Sequence, residues 1–222
     1  MPSVLVPAPR WERWVTNFAT GHGGAELSVA GGALRGRAAD GSHFTAHLPF
    51  ATSYDGAAEA GDFAAAVRAP GEWGVLLVRK GGFAVARMSG DALVEHKIGQ
   101  RHVQGRTKAG GQSQQRFARR RDNQARQAYE AAAEHAVRIL LGDGPRPTVL
   151  GCGGDRPAVD AVLADARLAR LRDLRVEPWL PVPDPRAAEV AHAVQEGSSA
   201  SVEIDDSEAG SDRVPVKDDL DR

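Results

Sequence analysis

At 222 residues and 42% hydrophobic content, the chain has room and apolar material for one sizeable domain or two small ones. No apolar run is long enough for a transmembrane helix, the first residues lack the basic and apolar regions of a signal peptide, and the single cysteine, Cys152, excludes an internal disulfide and fits a reducing cytoplasm. The net charge of −1 says little about partners, but its distribution is uneven: Arg101 to Arg126 holds eight lysines and arginines against one acid, and Gly197 to Arg222 holds eight acids against three bases.

In chain order, Trp11, Trp14, Val15 and Phe18 fall at i, i+3, i+4 and i+7, which predicts a short amphipathic helix ended by Gly21-His22-Gly23-Gly24. Three β segments follow, Ala25–Ala30, Ala33–Ala38 and His43–Leu48, with Gly31-Gly32 and Asp40-Gly41 as turns. His43 and His47 share a strand face, but no carboxylate or cysteine completes a ligand set at recognisable spacing, so a solvated face is favoured over a metal site. After a loop, Asp62–Ala69 reads as a short helix.

A clearer β meander comes next. Trp73–Val78 is almost wholly apolar, as a central strand would be; Phe83–Met88 pairs back, and Ala92–Ile98 forms a third strand. Gly99–Gly111 is a basic, glycine-containing loop with one apolar residue, Val103. A long helix starts near Ser113, with Ala125, Ala128, Tyr129, Ala132, Ala136, Ile139 and Leu140 on one face. Arg116, Arg119, Arg120 and Arg121 ring its first turns. Such a ring is costly to bury, so these turns should project beyond the body while later turns pack on the sheet. Pro147–Gly151 reads as a strand, Cys152–Asp155 as a turn with Asp155 as N-cap, and the residues to Ala164 as a helix. A dinucleotide fingerprint fails there, because its third glycine would fall on Arg156. Leu168–Leu174 reads as a short helix, Arg175–Pro178 as an edge strand, and Pro185–Glu196 as a last helix capped by Asp184. The acidic, serine-rich segment from Gly197 should be disordered.

The motif Gly110-Gly111-Gln112-Ser113, followed by Arg116-Phe117-Ala118-Arg119, Arg121 and Tyr129, resembles the catalytic loop and helix of eukaryotic and archaeal class-1 peptide-chain release factors. In so short a chain it looks more like the VLRF-type, release-factor-like peptidyl-tRNA hydrolases of ribosome rescue. The specific part covers about twenty residues; a looser similarity runs from Trp73 to Asp165. The resemblance implies an α+β fold with a mixed sheet and packed helices, ribonuclease-H-like as in release-factor middle domains. The chain then divides into a β-rich N-terminal part of the same domain or a small subdomain (1–70), a release-factor-like catalytic domain (71–196) and an acidic disordered tail (197–222).

The resemblance also assigns roles. Gly110 and Gly111 would let the main chain present the Gln112 N–H toward a developing oxyanion, with the uncharged Gln112 side chain bounding the water pocket. Arg106, Lys108, Arg116, Arg119, Arg120 and Arg121 would hold phosphates of rRNA or tRNA. The implied partners are the large ribosomal subunit and peptidyl-tRNA, with no membrane, DNA, metal or cofactor. No stretch is evident for codon reading, so codon-independent release is expected. Three other readings stand beside this one. A tRNA 3′-end endonuclease would want metal-bound carboxylates, which Val75–Val78 and Phe83–Met88 lack. A non-catalytic ribosome- or RNA-binding factor would keep the basic helix but not need Gln112. A free-standing hydrolase with a histidine or acid as base would act without ribosomes.

Overall fold

The computed structural model describes residues 3–80, 82–100, 112–180, 182 and 187–205, with backbone only at 100, 112–122 and 187–189. In chain order the elements are β1 (Ser3–Val6), α1 (Ala8–Gly21), β2 (Ala25–Ala30), β3 (Ala33–Ala38), β4 (His43–His47), α2 (Ala60–Ala66), β5 (Glu72–Arg79), β6 (Gly82–Ser89) and β7 (Ala92–Gln100). Then come α3 (Gln112–Leu141), β8 (Val149–Gly154), α4 (Arg156–Leu163), α5 (Ala169–Arg172), β9 (Arg175–Leu180), α6 (Ala187–Gly197) and β10 (Ala200–Asp205). The fold is α+β, with helices packed on two five-stranded sheets. The described residues divide into two compact units: those of 3–48, 53–66 and 200–205 form the first, and those of 49–52 and 67–199 the second.

The first unit holds an antiparallel sheet in the order β1-β10-β4-β3-β2. The stripe read from the sequence lands inward: Trp11, Val15 and Phe18 of α1 are buried, as are Phe63 of α2 and Leu34 and Phe44 of the sheet. Rings meet face and edge, with Trp11 4.6 Å from Phe63 and Phe44 edge-on to Trp14 and Phe18 at 5.0 Å. Such pairs add to burial worth about 1.5–3 kcal/mol for each large side chain. The β2–β3 turn is made by Gly31 and Gly32 at φ 62° and 76°, the paired left-handed conformations a tight hairpin requires.

The second unit holds a mixed sheet in the order β7-β6-β5-β8-β9. Strands β5, β6 and β7 form an antiparallel meander, and β8 and β9 run parallel to β5. Helices α3 and α4 cover one face, where Leu76, Val78, Phe83 and Val85 pack with Ala132, Ala136, Ile139, Leu140, Val159 and Val162. On the other face Trp73, Val75, Leu77, Ala84, Ala86 and Met88 pack with Phe50, Leu180, Val182 and residues of α6. Burial on both faces is why β5 reads as an unbroken apolar run.

Two expectations are corrected. Cys152-Gly153-Gly154 is not a turn but the end of β8. A Cβ on Gly153 would stand 2.5 Å from the Leu180 backbone oxygen, so the missing side chain admits β9 alongside. Asp155 does sit at the N-cap of α4, yet its side chain makes no capping bond and pairs instead with Arg79 at 3.4 Å. The second correction concerns the tail. Ala200–Asp205 is β10, flanked by β1 and β4 within the first sheet. Its composition is acidic, but Ala-Ser-Val-Glu-Ile-Asp alternates at period two and places Ala200 and Val202 in the core. Residues 206–222, Gly81 in the β5–β6 turn and the expected cap Asp184 lie outside the described residues.

Candidate functional site

The basic segment 101–111, which joins the end of β7 to α3, lies outside the described residues. Its root is built from one stacked set. Gly99 pairs with Phe83, and a Cβ at Gly99 would stand only 2.3 Å from the Phe83 ring. The same ring stacks on His135 of α3, centroids 5.7 Å apart. The strand that launches the loop and the helix that receives it therefore share one aromatic side chain. On β7, Glu95 ties the layers together: it pairs with Arg138 of α3 and lies 3.8 Å from Arg87 of β6. Burial holds His135 below the ordinary histidine range, helped by the positive charges of Arg138 and Lys97.

Helix α3 has two stretches of different character. Among its described side chains, burial begins at Ala128 and continues through Ala132, Ala133, Ala136, Ile139 and Leu140. Tyr129 packs on the same core, its phenol pushed up first by burial and then by Asp155. The helix reaches the far end of the sheet at Leu140, which lies against Gly74 near the start of β5. Toward the N-terminus, residues 123–127 are half-buried or exposed. At 1.5 Å per residue, about 25 Å of helix separates Gln112 from Tyr129.

Gln112 is the first residue of α3, one position before the expected start. Peptide N–H groups in a helix's first turn lack intrahelical partners and sit at its positive end, a setting that favours negative charge. Arg116, Arg119, Arg120 and Arg121 lie on α3, where only the backbone is described. Gly110, Gly111, Arg106 and Lys108 lie outside the described residues. The structure thus gives the root and helix of the site.

Several residues in that frame have no signal in the linear pattern: Phe83, Gly99, Glu95 and His135 come together only through sheet register. The same holds at the end of β8. There the Trp179 indole N–H donates to the Gly154 carbonyl at 2.9 Å, and the Arg156 guanidinium lies 4.3 Å over the Trp179 ring. Cys152 is buried, and burial pushes its thiol up to about 12, which disfavours the thiolate. Among the described residues, no group of three or more histidine, cysteine, aspartate or glutamate side chains could hold a metal ion, and no helix is long and apolar enough to cross a membrane.

Comparison with known proteins gives a family. A model described as the Actinobacteria/Chloroflexi VLRF1 release factor matches residues 71–203, from just before β5 into β10 and so more than half of the chain. A solved structure, the archaeal translation termination factor aRF1, is similar at a TM-score of 0.43 and 11% identity, covering 72% of this chain. The similarity covers 48% of that factor, so this chain spans about half its length. Among curated proteins, none matches.

Proposed function

Since the chain belongs to the VLRF1 release-factor family of Actinobacteria and Chloroflexi, we propose that it frees nascent peptides by hydrolysing the peptidyl-tRNA ester on the large ribosomal subunit, without reading a codon. The observation that carries this reading is the placement of Gln112 at the head of a 30-residue helix whose described burial begins only at Ala128. A helix seated at one end can carry its other end into a confined RNA cavity. The order of the second sheet, three antiparallel strands followed by two parallel ones, supports the ribonuclease-H-like layout of this domain.

In this reading Gly110 and Gly111 free the backbone to approach the ester. The Gln112 N–H and the positive end of α3 stabilise the oxyanion or the leaving 3′-hydroxyl. The Gln112 side chain positions water, while Arg106, Lys108, Arg116, Arg119, Arg120 and Arg121 hold RNA phosphates. The reaction takes place in the cytoplasm, where its ribosomal substrate is, and needs no metal or cofactor from this chain.

The test is a release assay on ribosome-bound peptidyl-tRNA with wild type and Gln112→Ala. Wild type should release peptide irrespective of the codon in the A site and leave an intact CCA end. The variant keeps the backbone N–H of residue 112 but loses the side chain that positions water, and should release peptide about 10²-fold more slowly, the scale of a lost positioning group, while still co-sedimenting with ribosomes. Undiminished release by Gln112→Ala would overturn the assignment. A tRNA lacking its terminal CCA would establish the endonuclease reading instead.

A further inference from the structure

The exposed face of the first sheet carries a cleft whose residues the proposed release reaction does not use. Where α1 and α2 leave that face uncovered, a cleft of about 620 Å³ lies over β2, β3, β4 and β10. Strand pairing sets its walls. Ser28, Arg35, Thr45 and Glu203 form one row across the four strands, and Glu26, Arg37, His43 and Asp205 form the next. Arg35 and Arg37 are exposed, and neither makes an ion pair among the described residues. They stand two residues apart on one strand, about 7 Å, with hydroxyls of Ser28 and Thr45 in the strands on either side of Arg35. Guanidinium flanked by hydroxyls is donor-rich and suits a phosphate. Two strand spacings away, about 10 Å, β10 presents the acceptor-only carboxylates of Glu203 and Asp205, the latter 3.7 Å from His43.

With Glu26 of β2 in register beside Arg37, and Glu203 and Asp205 on β10, the cleft mixes guanidiniums with carboxylates and is poorly suited to a uniform polyanion lying across it. It suits a ligand that is anionic at one end and rich in donors at the other. We propose that this cleft binds one nucleotide unit, its phosphate against Arg35 and Arg37 and the donor edge of its base or ribose against Glu203. The volume fits a ligand of that size. Guanine, with adjacent ring and exocyclic N–H groups, is the base a carboxylate can engage in bidentate fashion.

The full chain is titrated with guanosine 5′-monophosphate, with guanosine, and with a short guanine-containing single-stranded oligoribonucleotide. Amide chemical shifts or changes in tryptophan emission report binding, so the result does not depend on peptide release. Wild type should bind the monophosphate and not guanosine. The Arg35→Gln/Arg37→Gln variant should lose about tenfold or more in affinity, the loss expected for removing charge-assisted pairs. An oligoribonucleotide that binds more tightly than the monophosphate, with the same arginine dependence, identifies the nucleotide as part of an RNA; equal or weaker binding identifies a free nucleotide. The exposed positions of both arginines make loss of fold avoidable, and an unchanged thermal midpoint verifies it. Absence of binding by both phosphorylated ligands, or full affinity in the double variant, would overturn the proposal.

Discussion

Gly154 shows how much one absent side chain can organise. Its φ of +87° lies in the region glycine tolerates and other residues resist, and a Cβ there would stand 2.3 Å from the Val78 backbone oxygen. That oxygen accepts the N–H of Asp155 at 2.8 Å, so β5 and the start of α4 meet at this point. Gly154→Ala has no flexible neighbour to push aside and should cost about 1–3 kcal/mol, seen as a lower midpoint in chemical denaturation. An unchanged midpoint would contradict the argument. The sequence marks Gly153 and Gly154 as unusual but does not say why. Glycine pairs read as turns by default, and only the adjacent backbones of Leu180 at Gly153 and of Val78 at Gly154 show that these serve close backbone approach.

At the scale of the element, α3 was legible where packing decides it and less so elsewhere. A repeat of 100° per residue singles out Ala125, Ala128, Tyr129, Ala132, Ala136, Ile139 and Leu140; five of these are buried, and Ala125 and Tyr129 are half-buried. The stack of Gly99, Phe83 and His135 at the loop root was not legible, since it depends on β6–β7 register and on where α3 crosses it. His135 makes that seat sensitive to acid. Its folded pKa lies below the ordinary 6.5, so the unfolded chain takes up the proton more readily. The contribution of neutral His135 is therefore present above about pH 6.5 and is lost as pH falls through the depressed folded value. Urea midpoints measured from pH 7.5 down to pH 5 should fall more steeply for wild type than for His135→Gln. Parallel pH dependences in the two proteins would sink this role for His135.

At the scale of the molecule, the order of elements along the chain differs from their order in space. The sequence suggested an N-terminal part, a catalytic domain and a disordered acidic tail, because composition changes near those boundaries. The chain instead returns: after α6 completes the second unit, β10 enters the first sheet between β1 and β4. Pro49–Thr52 crosses in the opposite sense, with Phe50 packed 4.9 Å from Trp73 in the second unit. Composition could not reveal this, since eight acids in the last 26 residues mask a six-residue alternation. The strand makes a sharp prediction about truncation. Ending the chain at Ser199 removes the only strand paired with β1 among the described residues and exposes one edge of β4. It also removes the fully buried Val202, a side chain worth about 1.5–3 kcal/mol before any ladder hydrogen bonds are counted. That truncation should unfold or strongly loosen the first unit, shown by red-shifted emission from Trp11 and Trp14 and loss of β circular dichroism. Ending the chain at Asp205 keeps every β10 pairing and should leave both signals and the thermal midpoint at full-length values. If the two truncations behave alike, β10 is not the strand that closes this sheet.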